Sequence, residues 1–226
     1  MTAPLCLLTR PLAQSESFAA GLPGVDCLIA PILRIEALPF DAALAEGAPG
    51  LIFTSANAVP FAGPGNGRQA LVVGPQTAVA ARAAGFTVEE GPGDAEGMMP
   101  LLSGRGDWLH LHGRHRARAL PTQGIAVYDQ VAQPLSQPAR AALAGARPVI
   151  LPLFSPRSAA LLSDAVAGAQ APIATVAIST RADAAYRGPV RLRLIADRPE
   201  GAAMQRVVRS LAVGTSAWGT KPDAVG

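Results

Sequence analysis

Short continuous apolar runs, each closed by small hydrogen-bonding residues, recur along this chain. In the run at 50–59, Leu51, Ile52 and Phe53 stop at Thr54, Ser55 and Asn57, and apolar Ala58, Val59 and Phe61 follow. Unbroken hydrophobicity of this length predicts a strand buried on both faces, as in a parallel sheet. A serine or asparagine directly after it suits a helix start, whose first backbone N–H groups lack intrahelical partners. In an open α/β sheet, such strand ends are where ligands bind. An echo of the run lies at 149–162, with Phe154-Ser155 standing where Phe53-Thr54 stood.

The same reading predicts further strands over 5–8, 27–33, 69–73, 86–89, 108–111, 125–131, 173–178 and 190–195. Between them it predicts helices over 13–22, 41–45, 78–84, 95–102, 119–123, 138–143, 158–166, 183–186 and 201–211. Pro11 ends the first strand and can open the next helix. Gly85 supplies a left-handed cap. Residues 34–39 lose periodicity and read as an exit from the first unit. Beyond Ala212, the segment 213–226 reads as a frayed, flexible tail.

The middle of the chain is repeated. Val72 to Ala78 aligns with Ala177 to Asp183, and Glu96-Gly97 with Glu200-Gly201 at a helix start. Strand–helix units of this kind imply right-handed crossovers and parallel sheets. Residues 1–33 hold too few strands to stand alone, and the second copy lacks a beginning. Joining them gives an α/β fold of two similar parallel-sheet domains linked by two strands. The first domain is discontinuous (1–35 with 134–212), and the second (39–127) is inserted into it.

Composition narrows the function. Half of the 226 residues are hydrophobic, and 19 basic against 16 acidic residues leave a net charge of +3 without long blocks of either sign. Nucleic-acid binding calls for a basic stripe with aromatics, and aromatics are 4% here, so no nucleic-acid partner is expected. No leader of the secretory type opens the chain, and no apolar stretch approaches the ~20 residues of a membrane helix, so a cytoplasmic protein is expected. Cys6 and Cys27 lie in apolar runs and read as buried free thiols. Nucleotide-loop, nucleophile-elbow and dinucleotide signatures are missing. His110, His112 and His115 cluster, but no acidic or thiol ligand sits at a familiar spacing, so they read as a solvated strand end and no metal is expected.

The remaining candidates are strand ends rich in hydroxyls and amides: Thr9-Arg10, Thr54-Ser55-Asn57, Gly74 to Thr77, Ser155 to Ser158 and Ser179-Thr180. Each precedes a helix, where free N–H groups and the positive dipole end attract carboxylates or phosphates. Singly, each also reads as a plain cap. Together, on two similar domains, they point to a polyanionic ligand, and Arg10 adds a fixed positive charge.

The chain resembles the uroporphyrinogen-III synthase family over nearly its full length. The resemblance rests on Thr9-Arg10-Pro11, Phe53-Thr54-Ser55-x-Asn57-Ala58-Val59, Val73-Gly74-x-x-Thr77-Ala78, Val127-Tyr128, Phe154-Ser155-Pro156-x-Ser158 and Glu200-Gly201. It implies two α/β domains joined by a two-stranded ladder, with no cofactor or metal. The implied substrate is hydroxymethylbilane, a linear tetrapyrrole bearing an acetate and a propionate on every ring. The family's reaction expels the terminal hydroxyl as water, passes through a spiro intermediate and closes the ring with the last pyrrole inverted. By position, Tyr128 is the implied proton donor to the departing hydroxyl, although a tyrosine packing the ladder would look the same. Arg10, Ser55, Asn57, Gly74, Thr77, Ser155, Ser158, Ser179 and Thr180 are the implied substrate-binding positions. A monomer is implied, with transient contact to hydroxymethylbilane synthase as its one protein encounter. One departure stands out. Where the family shows Ile-Gly-x-x-Thr-Ala, the second copy has Ile178-Ser179-Thr180-Arg181-Ala182-Asp183, and Asp183 would repel a carboxylate. That departure supports an alternative: a non-catalytic module of the same fold that binds an anionic tetrapyrrole. A receiver-like signalling domain is a third reading, but the strand ends carry Ser, Thr and Arg where it needs acids.

Overall fold

The computed structural model describes residues 2–116 and 118–214. The chain divides into two compact units, one holding residues up to Arg34 and those from Ala132 onward, the other Ile35–Val131.

The first unit is built on five parallel strands: β1 (Leu5–Leu8), β2 (Cys27–Ile29), β9 (Val149–Leu153), β10 (Ile173–Ala177) and β11 (Leu192–Ile195). Their order across the sheet is β11-β10-β9-β1-β2. Successive residues of β1 serve opposite cores. Leu7 packs with Leu151, Leu162 and Tyr186, while Cys6 and Leu8 pack with Phe18, Met204 and Val208. Both faces are thus dry, which is why the strand sequences are continuously apolar. The covering helices are α1 (Leu12–Ala20), α4 (Gln137–Ala144), α5 (Pro156–Ala165), α6 (Thr180–Ala185) and α7 (Gly201–Val213).

The second unit holds β4 (Gly50–Phe53), β5 (Gln69–Val72), β6 (Thr87–Glu90), β7 (Leu109–Gly113) and β8 (Gly124–Ala132), all parallel, with β3 (Leu33–Ala37) at the edge. The order is β3-β8-β7-β4-β5-β6. Leu51, Phe53, Leu109 and Leu111 face a core with Ala58, Val59, Ala78 and Ala81; Ile52 and Leu71 face Met98, Leu102 and Leu120. Helices α2 (Ala42–Gly47) and α3 (Pro75–Ala83) and two 3-10 helices, Ala56–Ala62 and Met99–Leu102, complete the unit. The chain crosses between units within β3 and at the end of β8. Leu38 N–H donates to Val127 O at 3.0 Å and Gln133 N–H to Ile32 O at 2.9 Å, low numbers meeting high, so this ladder is antiparallel.

Each sheet has one point where strand order reverses. In the first unit the chain steps from β1 to β2 and then returns on the other side at β9. In the second it runs β4, β5, β6 in one direction and β7, β8 in the other. The reversals lie between β1 and β9 and between β4 and β7, and crevices outside the strand ends at such points are the usual ligand sites of open α/β sheets.

Several expected elements differ. The strand expected over 27–33 ends at Ile29, because Pro31 has no N–H for the ladder. The stretch 34–39, read as aperiodic, forms β3, whose Leu-Arg-Ile-Glu-Ala pattern is the alternation of an edge strand. After Phe53 the chain makes only a 3-10 helix containing Pro60. The helix expected over 95–102 shrinks to Met99–Leu102, because Asp94 Oδ1 caps Gly97 N–H at 2.7 Å and Pro100 removes a donor. No helix forms over 119–123, which contains Pro121. Helix α7 continues to Val213, and the rest of the expected tail, 215–226, lies outside the described residues. Among the described residues, no helix is long and apolar enough to cross a membrane.

Candidate functional site

In the first unit the reversal is marked by Arg10, immediately beyond β1. Its guanidinium lies 4.3 Å from the centre of the Phe154 ring, beyond the end of β9. Burial lowers the Arg10 pKa to about 10, so the group stays charged at neutral pH while poorly hydrated. Among the described residues no carboxylate pairs with it. Helix α1 starts beside it at Pro11 without a side-chain cap; Gln14 N–H donates to Pro11 O at 3.0 Å, and the Leu12 and Ala13 N–H groups ahead of it have no capping side chain. A half-buried cation and a helix start without a side-chain cap at one crevice favour an anion.

The adjoining strand end is organised by Ser155, whose Oγ accepts from Ser158 N–H at 3.1 Å and lies 2.8 Å from Ser158 Oγ. One strand further, Ser179 Oγ accepts from Ala182 N–H at 3.3 Å. Thr180 is exposed, and Asp183 is ion-paired with Arg193 at 3.1 Å, which offsets the expected repulsion of a carboxylate. These serines act first as caps of their own helices. A capping hydroxyl uses an oxygen lone pair, so its proton can still be donated.

In the second unit the caps differ. Ser55 Oγ accepts from Asn57 N–H at 3.2 Å at the head of the 3-10 helix. Helix α3 begins at Gly74 with no side-chain cap, Thr77 buried in its first turn. A Cβ on Gly74 would stand 3.1 Å from Gly93 Cα, so the bare glycine lets the loop lie close.

At the reversal of this unit, Thr54 Oγ1 lies 2.9 Å from His110 Nε2. The histidines are not a solvated strand end as expected: His110 and His112 are buried, and only His115 is half exposed. They share the sheet face that Ile52 and Leu71 also occupy, with rings 4.9 Å apart. Burial, with the His112 and Arg116 charges adding to it, pushes His110 down to about 3; burial likewise lowers His112. Both are neutral at physiological pH. His112 Nδ1–H donates to Gly113 O at 2.8 Å, which leaves Nε2 to accept from Arg116 Nη1 at 3.3 Å. His110 Nδ1 is buried, with no hydrogen-bond partner among the described residues.

Tyr128, on β8 beside β7, lies on the other face of the sheet from these histidines, with Leu51, Phe53 and Leu111. A bulge between His112 and Gly113 sets Gly113 opposite Tyr128, and a Cβ on Gly113 would meet the tyrosine ring at 2.6 Å and its hydroxyl at 2.9 Å. The ring is buried and stacked on Phe61 at 6.1 Å. Among the described residues nothing hydrogen-bonds its hydroxyl. Tyr186 makes the contrast: its hydroxyl donates to Pro189 O at 2.9 Å, and burial pushes it up to about 12. One phenol is spent on structure, and the hydroxyl of the other has no hydrogen-bond partner among the described residues.

Comparison with known proteins decides the family. The family model described as uroporphyrinogen-III synthase HemD matches residues 20–205. The chain belongs to the uroporphyrinogen-III synthase family. Among solved structures it is similar to uroporphyrinogen-III synthetase from Helicobacter pylori, with a TM-score of 0.60 at 16% identity over 93% of this chain and 100% of that one. It is also similar to a mutant uroporphyrinogen III synthase from Thermus thermophilus, with a TM-score of 0.48 at 17% identity over 92% and 99%. No curated protein matches by sequence. The first of these likenesses shows the fold, and the family match shows an enzyme of porphyrin biosynthesis acting on a tetrapyrrole.

Within this uroporphyrinogen-III synthase family member, the serine caps refine the internal repeat by one residue. Ser55 and Ser155 both cap in extended conformation, so Phe154 stands where Thr54 stands, not one residue earlier. Sequence reasoning missed Arg116 and its seat on His112. The only available signal was their four-residue spacing within an arginine-rich segment, which does not say that the strand ends between them.

Proposed function

We propose that the chain converts hydroxymethylbilane to uroporphyrinogen III with inversion of the last ring, as a cytoplasmic monomer. The balance calls for no redox partner. The substrate loses its terminal hydroxyl as water, one carbon–carbon bond is exchanged through the spiro intermediate, and ring closure returns a proton. Unassisted closure gives the symmetrical type I isomer, so the protein's main contribution is to hold one geometry. Each unit offers groups suited to the substrate's carboxylates: Arg10, Ser155, Ser158, Ser179 and Thr180 from the first, and Ser55, Asn57, Gly74 and Thr77 from the second. The observation that carries this reading is Arg10, a half-buried guanidinium stacked on Phe154 at a strand-order reversal, without a carboxylate partner among the described residues. Encounters with hydroxymethylbilane synthase would be brief deliveries of an unstable substrate.

Tyr128 is the proton donor in this reading. A buried phenol normally finds a hydrogen-bond partner, and the departing hydroxyl would be that partner. Tyr128→Phe should lower the rate of type III formation about 10²-fold, the ordinary scale of positioned acid catalysis. An unchanged rate removes Tyr128 from the chemistry.

The test generates hydroxymethylbilane in situ, adds the protein and separates the oxidised porphyrins by isomer. Predominantly type III product supports the synthase. Type I alone at the spontaneous rate leaves the non-catalytic tetrapyrrole-binding module, the reading that the Ser179 and Ala182 departures favour.

A further inference from the structure

The two reversal points are related by register. Cys6 pairs with Ile150, so Arg10 falls opposite Phe154, the residue before the Ser155 cap. Ile52 pairs with His110, so His112 falls opposite Thr54, the residue before the Ser55 cap. The second unit therefore has His112 at the position of Arg10. It does not lack a guanidinium there, because Arg116 is hydrogen-bonded to the His112 ring.

The neighbouring cations are differently employed. Arg114 pairs with Asp129 at 3.0 Å, His115 with the same carboxylate at 3.4 Å, and Arg118 with Glu96 at 3.7 Å. Arg116 is exposed and rests on a neutral imidazole, and no carboxylate pairs with it among the described residues. The imidazole is fixed in its turn: His112 Nδ1–H is committed to Gly113 O, so Nε2 can only accept. Among the described residues, Arg116 thus has no carboxylate to neutralise it, and only one of its donors is engaged, by His112. The segment starts at Gly113, which lies against the Tyr128 hydroxyl.

We propose that Arg116, seated on His112, is a carboxylate-binding residue of the second unit, the counterpart of Arg10 in the first. Its ligand is an acetate or propionate side chain of the substrate, and His112 is its positioning residue. This rests on the synthase reading and adds a contact that the family resemblance does not imply. Because His112 acts through Arg116, the effects of the two should not add.

Four proteins run side by side test it: wild type, Arg116→Gln, His112→Leu and the double variant, each checked for folding by circular dichroism. In the isomer assay Arg116→Gln should raise KM about tenfold, the scale of one charge-assisted hydrogen bond, with a smaller change in kcat and a weaker dependence of KM on salt. His112→Leu should raise KM less, and the double variant should match Arg116→Gln. His112→Gln, whose Oε1 can still accept from a guanidinium, should restore most of the affinity. Wild-type KM and salt dependence in Arg116→Gln overturn the proposal while the synthase reading stands. If wild type makes no type III product, that reading fails. The proposal is then decided by titrating uroporphyrin I, an octacarboxylate, by fluorescence: equal affinity for wild type and Arg116→Gln overturns it, and a tenfold loss in the variant upholds it.

Discussion

The two units share one spatial arrangement of strands, permuted along the chain, with β9, β10 and β11 standing where β4, β5 and β6 stand. They differ in where they leave cations and helix starts open. In the first, the cation and the uncapped helix start coincide at the reversal point, in Arg10 and α1, while α6, one strand beyond β9, is closed by its own Ser179. In the second, the corresponding helix α3 starts at bare Gly74, and the reversal point is occupied by Thr54, His110 and His112. Equivalent positions thus differ in whether a side chain satisfies the helix or leaves its N–H groups to a ligand. The lesson is that topology fixes where a ligand can bind, and single residues at the caps decide which places stay available.

The harshest test of the comparison removes the first unit's cation. Arg10→Met keeps the packing against Phe154 and deletes the charge. If Arg10 holds a carboxylate, type III formation at low substrate should fall about 10²-fold, the scale of truncating one partner of a desolvated charge pair. Stability should hold or rise slightly, because a desolvated charge without a partner opposes folding. A fall in both activity and melting temperature would mark Arg10 as structural.

Exchanging the caps sharpens the comparison at smaller amplitude. Gly74→Ser would give α3 the closure that α6 has, at the expense of a few tenths of an ångström at Gly93. Affinity for the substrate should drop roughly tenfold, matching loss of one charge-assisted contact, with a stable fold. The reverse change, Ser179→Gly with Ala182→Thr, should improve KM by a smaller factor and lower the melting temperature, since an N-cap contributes about 1 kcal/mol. Equal KM values across the set, measured in the isomer assay, would mean that neither helix start touches the substrate.

Much of this arrangement was legible in the sequence, for identifiable reasons. Strands buried on both faces leave apolar runs such as Leu51-Ile52-Phe53, and punctuation by Pro11 or Gly85, the latter at φ 86°, is strong. Edge strand β3 was lost because one face is solvated and its five residues alternate. The expected helices at 95–102 and 119–123 failed on Pro100 and Pro121, whose effects depend on where the chain is already turning. The seat of Arg116 on His112 was beyond reach for another reason. It depends on a bulge between His112 and Gly113 and on pairing register, and neither leaves a mark in residue order. The equivalence of His112 with Arg10 likewise appears only when strands are matched across two sheets.

The smallest effect separates the units by acid. All three histidines lie in the second unit, and the first has none. Burial lowers His110 to about 3 and His112 to a lesser extent below its ordinary 6.5. In the unfolded chain both titrate near 6.5, so between that pH and the folded values the unfolded state binds more protons. Stability therefore rises with pH across this window. The histidine contribution is complete above about 6.5 and is lost as the pH falls toward 3. Amide exchange should then show strands β4 and β7 losing protection between pH 6 and 4 sooner than β1 and β9. His110→Gln, whose amide can still reach Thr54, should remove most of that pH dependence. Parallel loss of protection in both units would show that the buried histidines do not set the acid response, and that carboxylates shared by both units do.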